Sequence, residues 1–575
     1  MTADEIRAEI IAAVSANGGH LASSLGAVEL SMALTDVFDP FKDRIVWDVG
    51  HQAYAWKILT GRRERFSSLR RSGGVSPFPN PAESPADAAV AGHAGVAISV
   101  AAGYAAARDL NGGGGHVVAV VGDGAVVNGT SFEALNNCAA ATGKLIVVLN
   151  DNGMSISKPS GSFSRFLGRL ITGVRYNRMK AAAEQAGHRL RLTFLRGVYH
   201  RLESRIKSLF LGNAFFERFG LRYIGPVDGH DLAALREALS VARDDKRSVL
   251  VHVVTRKGRG FAPAEKDPVH WHGVGPFDAK ARHPSPGGGT KDWSAAFGEA
   301  LCAEAALDRR ITALTAGMKD GTGLAGFAAA FPERFYDVGI AEGHMAAFAG
   351  GLAAGGMKPV VAVYSTFLQR AVDQVMHDVA IAGLPVVFAV DRAGVTGADG
   401  VTHQGVFDIA MLRALPNVEI WQPCDGDELK AMLKSALERG GPTVIRYPRG
   451  PLPPSYGIRE EGAAVQVARA DAPVQIWVAG DWLGKALSVA ELTGAGVVYA
   501  RKLKPFDSEL LARQRSLGMK IVSLENASVA GGFGEAIGAD VKFGWPDEYI
   551  PHGSPGDLEK RFRLDVGSIA EVLNG

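Results

Sequence analysis

The sequence predicts an α/β protein of several domains built on parallel sheets, and three observations carry that prediction. At 575 residues the chain exceeds what a single hydrophobic core serves, so about two to four domains are expected. Two runs that are apolar throughout, VVAVV (117–121) and LIVVL (145–149), flank a segment with helical spacing at Phe132, Leu135 and Ala139. Strands apolar on both faces belong to a buried parallel sheet. The same alternation of strand and helix resumes after the polar break HPSPGGGTKD and runs to about residue 450, which implies a second sheet of the same kind.

In chain order, residues 4–18 read as a helix, and GGHLASSLG then places His20 in a turn ahead of a helix over 28–38. A strand over 45–49 ends at Gly50-His51. In AGHAGVAISVAAGYAAARDL a glycine turn holding His93 leads into a helix of small residues. His20, His51 and His93, each in a glycine turn beside a regular element, are placed to meet one ligand. Residues 163–216 are basic and weakly periodic, as expected of a solvated helical excursion or lid. IGPVDGHD and the apolar SVLVHVVT return to the sheet, and TRKGRGFAPAEKDPVHWHG is a polar loop too long to be idle. A linker at 284–292 separates a first domain, 1–283, from a second, 293–450. PLPPSYG opens a second linker, 451–464. The remainder, 465–575, has short strands (VQIWVAG, GVVYA, MKIVSLEN) and a C-terminal helix, which read as a small α/β domain.

Bulk properties narrow the function classes. The net charge of +2 gives no reason to expect nucleic acid or a membrane surface as partner. Cys138, Cys302 and Cys424 are too widely spaced for a metal pattern and argue against a disulfide framework. The start, MTADEIRAEI, lacks the apolar core of a signal peptide. Met345 to Val363 is the most apolar long stretch, but it is glycine-rich and broken by Lys358, so it reads as a buried helix and strand. A cytoplasmic protein is expected.

The chemistry gathers around Gly122-Asp123-Gly124 and Asn150-Asp151-Asn152, which end the two apolar strands. Neighbouring parallel strands present both groups at one carboxyl edge. Glycines beside Asp123 let a phosphate approach the backbone. Asp123, Asn152 and the main-chain carbonyl of Met154 are hard oxygen ligands, and with two diphosphate oxygens and a water they complete an octahedron around Mg²⁺.

A dozen ordered motifs extend this reading over the whole chain: HLASSLGAVEL, DVGHQAY, KILTGRRERF, GDG with FEALNN, LIVVLNDN, YIGPVDGHDL, FAPAEKDP, YSTFLQRA, DRAG with TGADG, IRYPRG, VAGGFG and HGSP. Together they resemble the 1-deoxy-D-xylulose-5-phosphate synthase family of transketolase-like thiamine-diphosphate enzymes. The resemblance implies a transferase that condenses pyruvate with D-glyceraldehyde 3-phosphate and releases CO₂. It implies two domains with parallel sheets that hold opposite ends of the cofactor, a transketolase C-terminal-like domain, and a homodimer whose cofactor-binding domains come from one chain. It assigns thiamine diphosphate to His51, Gly92, His93, Ala94, Gly122, Asp123, Gly124, Ala125, Asn152, Met154, Glu342 and Phe367, with Mg²⁺ at Asp123, Asn152 and Met154. Glu342 is the carboxyl that acts on the pyrimidine ring, and Phe367 the aromatic that stacks on it. His20, His51 and His403 move protons. His20, His272, Tyr364, Arg370, Arg392, Asp399, His403 and Arg446 contact substrate, with Arg392 and Arg446 gripping the aldehyde's phosphate and Arg449 the alternative to Arg446.

The chain departs from the family pattern at several of these places. Ala94-Gly95-Val96-Ala97 replaces a hydroxyl-rich SSTS, with backbone N–H groups expected to substitute. Gly153 and Gly343 replace Glu and Gln, Gln404 replaces His, and Ala55-Trp56 replaces Pro-His. Such changes bear on substrate choice. Two alternatives therefore stand beside the synthase: a thiamine-dependent carboligase with another donor or acceptor, and a cofactor-holding protein without turnover.

Overall fold

The computed structural model describes residues 1–153, 213–280, 291–458 and 462–575. The chain divides into two compact units, Met1–Arg70 with Gly74–Ser285, and Arg71–Gly73 with Pro286–Gly575. Met154, most of the basic stretch 163–216 and most of the linker 284–292 lie outside the described residues.

The first unit is built on strands β1 (Arg44–Trp47), β2 (Val117–Gly122), β3 (Ile146–Asp151), β4 (Arg222–Asp228) and β5 (Val249–Val254). Their order is β1-β2-β3-β5-β4 and every pairing is parallel. The run of β-branched residues explains the strands: Val117 to Val121 and Ile146 to Leu149 are buried on both faces by flanking helices. Parallel pairing of Gly122 with Asn150 and of Asp151 with Val254 brings the carboxyl ends of β2, β3 and β5 to one edge. The expected strand at 45–49 stops at Trp47, because Val49 and Gly50 both take positive φ (59° and 83°) and turn the chain.

The second unit carries two sheets. One contains β6 (Ile311–Thr315), β7 (Phe335–Asp337), β8 (Lys358–Tyr364), β9 (Val387–Asp391), β10 (Glu419–Trp421) and β11 (Thr443–Arg446). The other contains β12 (Ala464–Ala468), β13 (Val474–Ala479), β14 (Gly496–Ala500), β16 (Lys520–Ser528) and β17 (Val541–Trp545). The intervening β15 (Lys502–Lys504) leaves the latter sheet and pairs antiparallel with β10, so the second sheet is not wholly parallel. β12 likewise lies antiparallel, against β14. Both sheets share one hydrophobic core, in which Phe297 and Tyr447 belong with Ile476, Leu483 and Trp545. The apolar stretch from Met345 is the helix Glu342–Ala354 followed by β8. No described helix is long and apolar enough to cross a membrane.

Candidate active site

In the first unit the loops after β2, β3 and β5 form a charged, buried cluster. Asp123 is 8% exposed and opens the short helix Asp123–Val126. Asn150 is fully engaged: its Nδ2 donates to Gln52 Oε1 at 2.7 Å and its Oδ1 accepts from the Thr255 hydroxyl at 2.6 Å. Asp151 Oδ1 accepts from Gly153 N at 2.9 Å, and its Oδ2 lies 3.0 Å from His252 Nε2. His252 Nδ1 lies 2.7 Å from the Tyr223 hydroxyl. The half-buried Asn152 thus sits between two anchored neighbours. Gly153 holds φ of 66°, a conformation that the glutamate of the family pattern would adopt only with strain.

Burial raises the pKa of Asp123 and the charge of Asp151 raises it further, against the pull of Lys257; burial lowers the pKa of Lys257 in turn. A buried carboxyl that meets both a second carboxylate and a lysine is suited to a divalent cation, which would relieve the repulsion between the carboxyls. Beside them, a Cβ built on Gly122 meets nothing within 4 Å among the described residues. Hard oxygen donors next to open backbone fit a metal-bound diphosphate.

The loop carrying Gly92, His93 and Ala94 is held from behind. Asp48, 1% exposed, accepts from Gly95 N (2.8 and 3.0 Å) and Ala97 N (3.0 Å). Gly95 has φ of 85°, and a Cβ there would stand 2.6 Å from the Asn128 side chain. The Gly95 and Ala97 amides are thus committed to Asp48, because a buried carboxylate needs donors.

Three imidazoles converge, two of them from the glycine turns singled out in the sequence. The rings of His20, His51 and His272 lie 6.2, 5.7 and 5.4 Å apart by pairs. His272 joins the group, and His93 is half-buried in the loop ahead of the helix Ala97–Leu110. His272 Nδ1 is 3.2 Å from the Ser23 hydroxyl, and His51 Nδ1 has no hydrogen bond from any described residue. Burial, reinforced by the charges of neighbouring imidazoles and Lys257, pushes His51 and His272 well below the usual histidine range, so both are neutral at pH 7. Lys257 escaped sequence reasoning because a lysine between arginines in TRKGRG reads as a solvated charge run.

In the second unit Glu342 is the first residue of its helix and is 3% exposed. Its Oε2 accepts no hydrogen bond from any described residue, and Arg370 Nη1 stands 3.8 Å away. Burial raises the Glu342 pKa, and Arg370 opposes that rise only in part. A buried carboxyl oxygen left open in this way fits the ring nitrogen of a bound heterocycle.

Phe367 follows β8 and lies between Tyr364 (5.8 Å, nearly parallel) and His403 (5.5 Å, edge-on). Arg392, which follows β9 with φ of 57°, holds its guanidinium 3.7 Å above the Tyr364 ring. Asp399 acts electrostatically on Arg392 and pairs with Arg449 at 3.6 Å. Gly321 makes room for this group, since a Cβ there would fall 1.8 Å from the Tyr364 hydroxyl. Nothing in the sequence singled Gly321 out.

Arg446, expected to grip phosphate, is a correction. It is 0% exposed, with Nε and Nη2 on Asp408 (2.9 and 3.1 Å), Nη1 on Gln422 (2.6 Å) and Nη2 also on Asn526 O (3.1 Å). It ends β11, an inner strand buried along its whole length, where a guanidinium must spend its donors on the interior. Arg449, three residues on and half-exposed beside Asp399, is the arginine of RYPRG that keeps company with Arg392.

Most departures from the family pattern fall in supporting positions. Trp56 is fully buried and donates to Asp87 Oδ1 at 3.1 Å, beside the equally buried Ala55. Gln404 is 2% exposed; its Oε1 accepts from Thr396 N and Gly397 N, and its Nε2 donates to Pro551 O at 3.0 Å. A Cβ on Gly343 would come 3.0 Å from Gln374 Oε1, so the Gln374 side chain fills the space.

Comparison with known proteins agrees in extent. The family model described as 1-deoxy-D-xylulose-5-phosphate synthase matches residues 1–255, and that described as transketolase, pyrimidine binding domain matches 289–454. A Geobacter sulfurreducens protein named 1-deoxy-D-xylulose-5-phosphate synthase 2 is 46% identical over 99% of this chain and 95% of its own. The Methylococcus capsulatus protein named 1-deoxy-D-xylulose-5-phosphate synthase is 43% identical over 100% of this chain and 92% of its own. Among solved structures, transketolase from Leishmania mexicana aligns over 100% of this chain and 97% of its own at 21% identity, with a TM-score of 0.46.

Proposed function

This chain belongs to the 1-deoxy-D-xylulose-5-phosphate synthase family, and on that premise we propose that it condenses pyruvate with D-glyceraldehyde 3-phosphate, releasing CO₂, to give 1-deoxy-D-xylulose 5-phosphate. The product is a precursor of isoprenoids, thiamine and pyridoxal phosphate. The observation that carries the reading is the buried Glu342 carboxyl with an open oxygen, on a chain that matches the family throughout.

Thiamine diphosphate, when bound, supplies the nucleophilic carbon and takes up the electron pair left by departing CO₂. Asp123 and Asn152 would hold the Mg²⁺ that anchors its diphosphate, with Gly122, Gly124 and Ala125 lining the approach; Met154, the third ligand expected from the sequence, lies outside the described residues. Gly92, His93, Ala94 and His51 complete that binding surface. Glu342 holds a proton at a carboxyl oxygen for the pyrimidine, because a dry site favours the neutral acid. Arg370 orients that carboxyl without ionising it fully, and Phe367 offers the ring a stacking face. The imidazoles of His20, His51 and His272, the last two neutral, give or take protons beside the pyruvate carboxyl, and His403 does so next to Phe367. Tyr364, Arg392, Asp399 and Arg449 receive the phosphorylated aldehyde, the two arginines binding phosphate and Asp399 fixing Arg449. We place the protein in the cytoplasm as a homodimer.

Mass spectrometry of products from a panel of 2-oxo acids and aldehydes tests this. Deoxyxylulose phosphate from pyruvate and glyceraldehyde phosphate is expected; turnover restricted to ketose-phosphate donors would replace the reading with a transketolase.

A further inference from the structure

Arg392 occupies a backbone conformation that arginine rarely takes. It has φ of 57°, two residues before Gly394 at φ of 82°. An L-residue stays in the left-handed region only where its surroundings hold it, and such residues gather at ligand sites. Three contacts hold this turn. Ala393 N donates to Tyr447 O at 3.0 Å, and Gly394 and Gly405 exchange N–H to O bonds at 2.7 Å. The third contact comes from β16, in the other sheet: Val395 N donates to Asn526 Oδ1 at 3.2 Å.

Asn526 is built for that contact. It is 7% exposed, and its Oδ1 also accepts from Trp545 Nε1 at 2.9 Å while its Nδ2 donates to Asp481 Oδ2 at 3.0 Å. Two donors on one atom and a carboxylate on the other fix which way the amide faces. Its main-chain oxygen accepts from Arg446 Nη2, so the arginine that does not reach a ligand braces the residue that shapes the turn. The fit is close: a Cβ on Gly394 would lie 2.3 Å from the Asn526 amide.

We propose that Asn526 is a positioning residue for the phosphorylated acceptor: by clamping the left-handed turn at 392–395 it keeps the Arg392 guanidinium over the Tyr364 ring, where it meets phosphate. The inference rests on the reading of Arg392 as a phosphate ligand. It gives the third sheet a part in acceptor choice, exerted through a side chain that touches no substrate. If the turn relaxes to an ordinary conformation, the Arg392 side chain leaves Tyr364 and the preference for a phosphorylated aldehyde falls.

The test compares kcat/KM for D-glyceraldehyde 3-phosphate with that for unphosphorylated D-glyceraldehyde, pyruvate being the donor in both cases. Asn526→Ala, and the milder Asn526→Ser, are expected to lower the phosphate preference about tenfold, as for loss of one positioned charge contact, with thiamine diphosphate affinity unchanged. In an Arg392→Ala background, Asn526→Ala is expected to cause no further loss of preference. Equal losses for both aldehydes, an unchanged preference in the variants, or losses that add in the double variant would each overturn the proposal. If the wild type turns over neither aldehyde, the functional reading fails, and calorimetry with glycerol 3-phosphate, an inert phosphate monoester, then decides the clamp. About tenfold weaker binding by Asn526→Ser supports it, and unchanged binding overturns it.

Discussion

The carboxyl groups at the β2–β3 edge and the one that opens the Glu342 helix are all buried, yet they are kept in opposite ways. Asp123 shares its surroundings with Asp151 and Lys257, a crowd of charge that a divalent cation would balance. Glu342 has one arginine at 3.8 Å and an oxygen with no described donor. Burial raises the pKa of both, but for Asp123 a second carboxylate adds to the rise. Crowding prepares a carboxyl to ionise when a metal arrives, whereas isolation prepares one to keep its proton.

The sharpest way to break that contrast is Glu342→Gln. Loss of an acid that holds a proton for the cofactor is expected to cut kcat by roughly a thousandfold with little change in cofactor affinity. A large fall in affinity instead, measured by titration of the apo-protein, would mean that Glu342 works by charge as Asp123 does. Asp391, at the end of β9, extends the comparison to isolated carboxyls generally. Burial pushes it up to about 6 from an ordinary 3.8, against Arg392 and the Ser294 hydroxyl. A folded-state pKa above the unfolded value means a contribution to stability that is full below 3.8 and lost as pH rises through about 6. Asp391→Asn removes that loss, so its stability relative to wild type should grow by about 2.5 kcal/mol between pH 4 and pH 8 in denaturant titrations. A difference independent of pH would contradict the assignment.

Asp123→Asn probes the crowded side. Affinity for Mg²⁺ with thiamine diphosphate is expected to fall about a hundredfold, while the metal-free protein melts higher because one of two opposed carboxyls is gone. A lower melting temperature would show that Asp123 is structural. The smallest effect belongs to Arg449→Ala, expected to raise KM for the phosphorylated aldehyde about tenfold and to leave stability alone. An unchanged KM would return the phosphate contact to Arg392 alone.

The same contrast separates what the sequence disclosed from what it hid. Apolar runs ending in GDG and NDN marked β2, β3 and the Asp123 edge, because strand periodicity and glycine turns are local signals. Glu342 was legible as the first residue of an apolar helix. Arg446 was misread because RYPRG offers two arginines, and only the point at which β11 ends puts the first in the buried sheet and the second in the loop beyond it. Lys257, Gly321 and Asn526 were invisible for a related reason: each matters through neighbours far away in the chain, and no local pattern reports them. Trp56 and Gln404 looked like altered site residues until their buried hydrogen bonds placed them in supporting roles.

The crossing of β15 has a consequence for how the protein is made. Among the described residues, β10 (419–421) gains its outer partner from 502–504. Arg501 Nε likewise reaches back to the buried Glu428 at 2.7 Å. During synthesis the second sheet therefore waits, one edge bare, while about 80 more residues are added, a span of several seconds at ribosomal speed. An unpaired edge is a template for another chain. Nascent polypeptides halted near residue 450 should accordingly bind chaperones and clump, and a gene cut at that linker should yield no soluble half.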